Sequence, residues 1–330
     1  MKMQKWLVGM LVLVLCISLF AGCSTENTGG KTESNTVGNA KEKKVIGVVI
    51  GNFSDQFQSY ILDGMKEAAK KYEDEYQFVY VDAKFDQNMQ LSLVENFISQ
   101  KVDAIALIPV DREASKPMVE QIVAAGIPLI SVNSKLGNQE LANSYVGSNS
   151  VESGEIEMQA VADKLGGKGN IVVLHGDYGH EAQIDRYQGY KNILEKYPDI
   201  KIIAEDTGKW ARAEGMQVVE NWLQSDLRDK IDAVVAQNDE MAIGALKAIE
   251  DAGLLDKIVV AGIDATPEAI EYLKKGKLEI TVFQDAKGQG KKAIEVAVKA
   301  ANGEDVEKEY MIPYQLVNPE EADKYLELYK

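Results

Sequence analysis

The chain has 330 residues, 52 of them acidic and 36 basic, and its net charge at neutral pH is −16. Binding to DNA or RNA needs a basic surface that neutralises phosphates, and this composition argues against it. A hydrophobic fraction of 45% supports a sizeable core. The only two cysteines lie within the first 23 residues, so we expect no disulfide and no thiol chemistry in the rest of the chain.

Residues 1–22 have the layout of a secretory signal peptide. Lysines precede an unbroken apolar run, residues 6–20, which is shorter than the roughly 20 residues of a spanning helix. The run ends in small residues before Cys23, and the stretch LFAGC resembles the lipobox of bacterial lipoproteins. We expect Cys23 to carry lipid and Cys16 to leave with the signal peptide. An uncleaved membrane anchor is the alternative.

Residues 24–43 consist mainly of Ser, Thr, Asn, Gly and charged residues, without apolar spacing. Such a composition is typical of a flexible tether. Together with the predicted lipid on Cys23, it indicates an exported protein that is anchored to the outer face of the cell membrane.

From Lys44 onward, continuous apolar runs alternate with segments of helical apolar spacing. Strands are predicted at 44–50, 78–83, 103–110, 128–133, 170–176, 200–206, 231–239, 257–264 and 278–285. Helices are predicted at 58–72, 89–101, 117–126 and 151–165, with others between the later strands. Continuous apolar strands are buried on both faces, so the fold class is α/β with parallel sheets. The number of strands favours two doubly wound lobes over one sheet.

Helix-capping residues appear at several predicted helix ends. Asp239 is predicted as an N-cap and Gly253 as the C′ residue of the same helix. Thr266 is predicted as the N-cap that precedes Pro267. Asp55 fits equally well as a cap or as a ligand contact.

The chemistry-bearing residues follow the predicted strands, where ligands bind in open α/β sheets. They are Asp55, Phe57, Asn133, His180, Arg186, Trp210, Asn238, Asp264 and Gln284. Carboxylates accept hydrogen bonds, arginine donates them, amides do both, and an aromatic face packs on the C–H face of a sugar ring. This set fits a neutral polyhydroxylated ring, and no phosphate-binding loop is present.

The histidines and two of the tryptophans allow alternative assignments. His175 and His180 lack the cysteine or third histidine that a zinc site would need, so no metal is predicted. Trp222 lies on an apolar helical stripe and is assigned to the core, whereas Trp210 has no such stripe and is assigned to the site.

Seven stretches together resemble one known family. They are SDQFQSYILDGM, YVGSNSVESG, HGDYGHEAQIDR, DTGKWARAEGM, AQNDEMAIGALKA, GIDATPEA and TVFQDAKGQG. From about Lys44 to the C-terminus the chain resembles the type I periplasmic sugar-binding proteins of ABC importers, including the galactose/glucose-, ribose- and inositol- or rhizopine-binding proteins. The resemblance implies a lobe of residues 44–149 plus 285–311, a lobe of 150–284 plus 312–330, and a three-segment hinge.

The resemblance also implies residue roles. Phe57 and Trp210 would sandwich the ligand, and the other seven candidates would supply polar contacts. Ala182 and Ser134 stand where the galactose/glucose binder has an aspartate and a lysine, and GGKGN (166–170) is too short for its calcium loop. The expected ligand is therefore a galactose/glucose-like hexose or, alternatively, a substituted sugar or a cyclitol such as myo-inositol.

The implied function is capture without chemistry and without a cofactor, by two lobes that close on one ligand. The implied partner is an ABC permease, with a chemoreceptor as a further partner, and the protein is expected to be a monomer. A secreted glycosidase and a sugar-responsive transcription factor are the alternatives. The second would need a helix-turn-helix where the signal sequence stands.

Overall fold

The computed structural model describes residues 42–329, so the predicted signal peptide, Cys23 and nearly all of the tether lie outside the described residues. The strands are β1 (Lys44–Ile50), β2 (Tyr76–Asp82), β3 (Ala104–Leu107), β4 (Leu129–Asn133), β5 (Ser144–Gly147), β6 (Lys168–His175), β7 (Asp199–Thr207), β8 (Ala233–Ala236), β9 (Val259–Asp264), β10 (Ile280–Phe283), β11 (Glu309–Met311) and β12 (Gln315–Leu316). The helices are α1 (Gln56–Ala69), α2 (Gln87–Gln100), α3 (Lys116–Ala124), α4 (Ser150–Lys164), α5 (Glu181–Leu194), α6 (Arg212–Leu223), α7 (Asp239–Asp251), α8 (Pro267–Lys274), α9 (Ala286–Ala301) and α10 (Asp323–Tyr329). None of these helices is long and apolar enough to cross a membrane.

The strands form two six-stranded sheets. The first has the order β11-β5-β4-β3-β1-β2 and is parallel throughout. The second has the order β12-β10-β9-β8-β6-β7, and only the short edge strand β12 runs antiparallel. The chain passes from one sheet to the other after β5, after β10 and after β11. The predicted α/β fold with two parallel-sheet lobes is confirmed, while the exact lobe boundaries stay a prediction.

The burial of the strands explains why most of them can be predicted from the sequence. Every residue of β3 and β8 is buried, because helices cover both faces of each sheet. Strands β5, β11 and β12 were not predicted, because none of them contains a continuous apolar run: β5 is SYVG, and β11 and β12 are short and largely exposed. The predicted helix 58–72 begins earlier, at Gln56, and its last turn, Lys70–Tyr72, is a 3₁₀ helix.

The capping predictions differ in outcome. Thr266 accepts a hydrogen bond from the Ala269 amide and caps α8, as predicted. Gly253 follows α7 with a φ of +70°, also as predicted. The prediction for Asp239 is wrong, because the preceding residue Asn238 caps α7 by accepting from the Met241 amide.

Helices α4 and α5 pack unusually closely, and they bury a carboxyl group between them. A Cβ on Gly154 would collide with the Arg186 carbonyl, so only glycine permits this approach. Glu157 of α4 is fully buried and accepts a hydrogen bond from the Tyr190 hydroxyl of α5. Burial raises the pKa of Glu157 to about 8.

We predict that Glu157→Gln stabilises the protein at alkaline pH and not at acidic pH. Between pH 4.5 and pH 8 the unfolded chain loses the Glu157 proton while the folded protein keeps it. The stability of the wild type therefore falls by up to about 1.4 kcal/mol per pH unit over this window, whereas the glutamine variant escapes the penalty.

Thermal unfolding at pH 4.5 and pH 8.5 measures this difference. Glu152→Gln, an exposed change on the same helix, is the control and should track the wild type at both pH values. A shift of Glu157→Gln that is equal at both pH values would contradict a buried, protonated Glu157.

Candidate functional site

One cavity lies at the carboxyl ends of the strands, between the two lobes. It contains about 420 Å³ of atom-free space, part of it open to solvent, within the range of small-molecule sites. All nine residues singled out in the sequence line it: Asp55, Phe57, Asn133, His180, Arg186, Trp210, Asn238, Asp264 and Gln284. The structure thus brings the predicted residues together, and their role in binding stays a prediction.

The first lobe contributes Asp55 and Phe57 through the start of α1. Asp55 is the N-cap, and its Oδ1 accepts from the Gln58 amide at 2.7 Å. Because Asp55 also lines the cavity, it is both a helix cap and a site residue. Burial raises the pKa of Asp55 to about 6. Phe57 lies in the first helical turn and is 9% exposed.

Asn133 enters the cavity from the end of β4. Its φ of +64° is the left-handed conformation, which asparagine tolerates better than most residues. The Asn133 amide nitrogen donates to Gln289 Oε1 at 3.1 Å, and the Tyr145 hydroxyl donates to the Asn133 carbonyl at 2.9 Å. These two bonds fix both the backbone and the side chain of Asn133.

His180 begins α5 in the second lobe. Its Nδ1 accepts from the Ala182 amide at 3.3 Å, so the ring nitrogen Nδ1 carries no proton. Burial, reinforced by the Arg186 and Arg112 cations, lowers the pKa of His180 to about 4. The imidazole is therefore neutral at physiological pH, and its Nε2 lies 3.5 Å from Ser134 Oγ across the cleft.

Arg186 is the only one of the nine predicted residues with a permanent positive charge, and it is 4% exposed. Its guanidinium donates to the Gln237 carbonyl, to Gln284 Oε1 at 3.0 Å and to the Tyr314 hydroxyl at 3.3 Å. Asp264 Oδ1 lies 3.8 Å away. Arg186 Nε has no hydrogen-bond partner among the described residues, which leaves one buried donor for a ligand.

Trp210 lies in the loop between β7 and α6. Its backbone φ is +62°, and the Asn238 side chain holds it by donating to the Trp210 carbonyl at 3.0 Å. The indole covers Gly176, where any Cβ would collide with the ring. The Arg186 guanidinium lies 5.8 Å from the ring centroid, so the aromatic plane borders the charged centre of the cavity.

Three further lining residues were not predicted as contacts: Gln58, Ser150 and Tyr314. Gln58 and Ser150 lie in the first turns of α1 and α4. Because these turns follow strands β1 and β5, their position in the sequence could have identified both residues as candidates. Tyr314 lies between β11 and β12, where the sequence has no periodic pattern to reveal it. Ala182, noted as a departure from the galactose/glucose binder, also faces the cavity.

His175 and Trp222 lie outside the cavity lining. His175 is buried beside the cavity wall, where its ring nitrogens contact Gln183 at 3.3 Å and Glu205 at 3.1 Å. Within residues 42–329, no cluster of three or more potential metal ligands is present. Trp222 packs against the hydrophobic core of the second lobe, as predicted.

The lobes contact each other at several places outside the cavity lining, among them an ion pair and an aromatic pair. Arg112 of the first lobe forms a bidentate ion pair with Asp185 of α5, with distances of 3.0 and 2.7 Å, and lies 3.4 Å from Glu181. At another place, the Tyr60 ring of α1 meets the Tyr329 ring of α10, with centroids 4.6 Å apart. The structure is therefore in a closed arrangement.

The arrangement of groups suits binding better than catalysis. The cavity offers aromatic faces, carboxylates, amides and one guanidinium, each held in place by helix caps or buried hydrogen bonds. The described lining residues include no cysteine, and the one serine among them is not paired with a histidine base. Ser150 donates to Glu181 at 3.0 Å rather than to a histidine.

Comparison with known proteins identifies the family. Residues 46–305 match the periplasmic binding protein domain. A xylitol-binding protein of Mycolicibacterium smegmatis is 38% identical over 283 residues, covering 84% of this chain and 78% of that protein. The ribose import binding protein of Bacillus subtilis is 33% identical over 306 residues, which cover 93% of this chain and 97% of that protein.

A solved structure is more similar still. An ABC transporter solute-binding protein from Bacillus halodurans, crystallised with bound myo-inositol, is 49% identical with a TM-score of 0.84, covering 87% of this chain and 98% of that one. The fold, the cavity between the lobes and these similarities all indicate the same family. The chain belongs to the periplasmic binding protein family, and it is a solute-binding protein of the ABC-transporter type rather than an enzyme.

Proposed function

We propose that this protein captures a cyclitol of the myo-inositol type between its two lobes and delivers it to an ABC permease. The observation that carries the proposal is the cavity between the lobes, in which eight polar and aromatic residues predicted from the sequence surround the buried Arg186. Its support from relatives is the 49% identical protein with bound myo-inositol. The sequence-based prediction of a galactose/glucose-like hexose becomes the second candidate.

The charges in the cavity favour an uncharged ligand. Arg186 lies 3.8 Å from Asp264 Oδ1, whose opposite charge offsets that of the guanidinium, and burial raises the pKa of Asp55 to about 6, which disfavours a second negative charge. His180 adds no charge at physiological pH. A charged ligand would leave one buried charge without a partner, which is costly, whereas ring hydroxyls can both donate and accept.

Ala182 favours a cyclitol over a galactose/glucose-like hexose. It places a methyl group at the cavity wall, where the galactose/glucose binder has an aspartate. A ligand hydroxyl directed at this methyl group would lose its partner, at a cost of about 1–3 kcal/mol. We infer that the ligand of this protein does not depend on an acceptor at this position.

We predict that myo-inositol binds with micromolar affinity, about −8 kcal/mol, and at least tenfold more tightly than D-glucose, D-galactose or D-ribose. The size of the cavity and the hydrogen-bonding groups around Arg186 should select a compact six-membered ring with hydroxyls on every side. Isothermal titration calorimetry on the protein without residues 1–22 measures the affinity for each of the four ligands. A hexose that binds more tightly than myo-inositol would establish the second candidate instead.

A matched pair of tryptophan variants tests the site within the same experiment. Trp210→Ala should reduce the affinity at least tenfold because the aromatic face is lost. Trp222→Phe, in the core, should lower the melting temperature and leave the affinity unchanged. Normal affinity in Trp210→Ala would show that the ligand binds elsewhere.

Closure of the lobes should make the affinity sensitive to salt even though the ligand is uncharged. The Arg112–Asp185 pair joins the lobes, and opening separates it. We predict that Arg112→Gln weakens ligand binding two- to fivefold, as expected for a partly exposed ion pair, and that added sodium chloride weakens binding to the wild type but not to this variant.

Lys247→Gln is the control for this prediction. It breaks a surface pair with Asp251 at 2.7 Å on α7 and joins no lobes, so the affinity and its salt dependence should stay as in the wild type. An identical salt dependence of Arg112→Gln and the wild type would refute a closing role for the Arg112–Asp185 pair.

We also propose that the protein is exported and tethered by lipid on Cys23, as the LFAGC stretch predicts. Two or more acyl chains give stable anchoring, at about 0.8 kcal/mol per buried methylene group. Metabolic labelling with a palmitate analogue should be lost in Cys23→Ala and retained in Cys16→Ala. Labelling that survives the Cys23 change would exclude this anchor.

A further inference from the structure

We propose that Asp239, which does not line the cavity, is a positioning residue that holds the turn of residues 264–266 so that the Asp264 carboxylate faces Arg186 and the ligand. The inference deepens the proposed function and rests on it, because it assumes that Asp264 contacts the bound ring. It also gives Asp239 a role in place of the helix cap that the sequence predicted.

The turn that carries Asp264 is in a strained conformation. Asp264 has a φ of +129° and Ala265 a φ of +52°. Residues with a Cβ rarely adopt positive φ, and a φ near +130° is almost confined to glycine. Such a conformation persists only where neighbouring groups hold it, so its restraints determine where the Asp264 side chain points.

Those restraints converge on the Asp239 carboxylate. The Thr266 amide donates to Asp239 Oδ2 at 2.8 Å. The Ala265 amide donates to Thr281 Oγ1 at 3.1 Å, and the Thr281 hydroxyl donates to Asp239 Oδ1 at 2.8 Å. The two amide groups that follow Asp264 therefore both depend on one carboxylate, directly or through one hydroxyl.

The Asp239 carboxylate is tightly enclosed between strand β9 and the turn. Asp239 and Thr281 are both fully buried. A Cβ on Gly262 of β9 would lie 2.6 Å from Asp239 Oδ1, so the carboxylate is seated against bare backbone beneath the turn. On the other side of the turn, the Asp264 carbonyl accepts from the Gln284 amide at 3.3 Å and from the Tyr329 hydroxyl at 3.2 Å.

The fixed turn sets the distance between the two charged groups of the cavity. With the turn held, Asp264 Oδ1 lies 3.8 Å from the Arg186 guanidinium and Asp264 is 3% exposed. If the restraints are removed, the backbone can relax to negative φ, and the carboxylate then leaves this position. Asp239 thereby acts on binding through Asp264 and not by contact with the ligand.

The first test uses Thr281, because its variants conserve volume. Thr281→Val removes the hydroxyl that links Ala265 to Asp239, whereas Thr281→Ser keeps it. With myo-inositol as the probe, calorimetry should show about tenfold weaker binding for Thr281→Val and Asp239→Ala, since a hydrogen bond to a charged group is lost, and binding within about twofold of the wild type for Thr281→Ser. Wild-type affinity in Thr281→Val would overturn the proposal.

Ser131→Ala is the control for this test. Ser131 is a fully buried hydroxyl of the first lobe that donates to Gln139 Oε1 at 2.7 Å, away from the cavity. Its removal should lower the melting temperature without changing the affinity. An equal loss of affinity in Ser131→Ala and Thr281→Val would show a general effect of destabilisation and would also overturn the proposal.

The second test needs no ligand. If the turn is strained, Asp264→Gly should melt several degrees above Asp264→Ala, because glycine adopts positive φ without cost. In the Thr281→Val background this advantage should shrink, since the turn is free to relax. Equal melting temperatures of the two Asp264 variants, or an advantage that Thr281→Val does not reduce, would refute the positioning role. A wild type that binds no probe, by contrast, refutes the proposed function.

Discussion

The structure of the site depends on the burial of one guanidinium. A charge that leaves water is costly unless hydrogen bonds and opposite charge surround it. Arg186 contacts partners on segments that are distant in sequence: the Gln237 carbonyl after β8, Asp264 at the end of β9, and Gln284 and Tyr314 where the chain passes between the lobes. Both the second sheet and the hinge must be in place before this charge is satisfied.

The hinge is thereby tied to the binding site. Gln284 and Tyr314 lie on two of the three segments that connect the lobes, and both contact Arg186. Ser150, on the remaining segment, lines the same cavity and donates to Glu181, which faces the cross-lobe residue Arg112. The cavity lining and the contacts between the lobes thus share residues, and under the proposed function this sharing would couple closure of the lobes to the ligand.

Helix capping fixes the positions of three other polar side chains that line the cavity. Asp55, His180 and Asn238 each cap the helix that follows a central strand, and each also lines the cavity. A cap side chain is held by the first turn of its helix, so its polar atoms have little rotational freedom. Three helix N-termini therefore point at the cavity, and their partial positive charge favours the oxygen-rich ligand proposed here.

The sequence by itself determined the fold class and nine of the residues that line the cavity. Continuous apolar runs exist because parallel strands are buried on both faces, and polar residues at their ends are exceptions that stand out. The tertiary structure alone decided how these residues are used. Asn238 rather than Asp239 caps α7, because the Asp239 carboxylate accepts hydrogen bonds from the Thr266 amide, 27 residues later, and from the Thr281 hydroxyl. Tyr314 and the Arg112–Asp185 pair were invisible for the same reason: their partners are far away in the chain, and only packing brings them together.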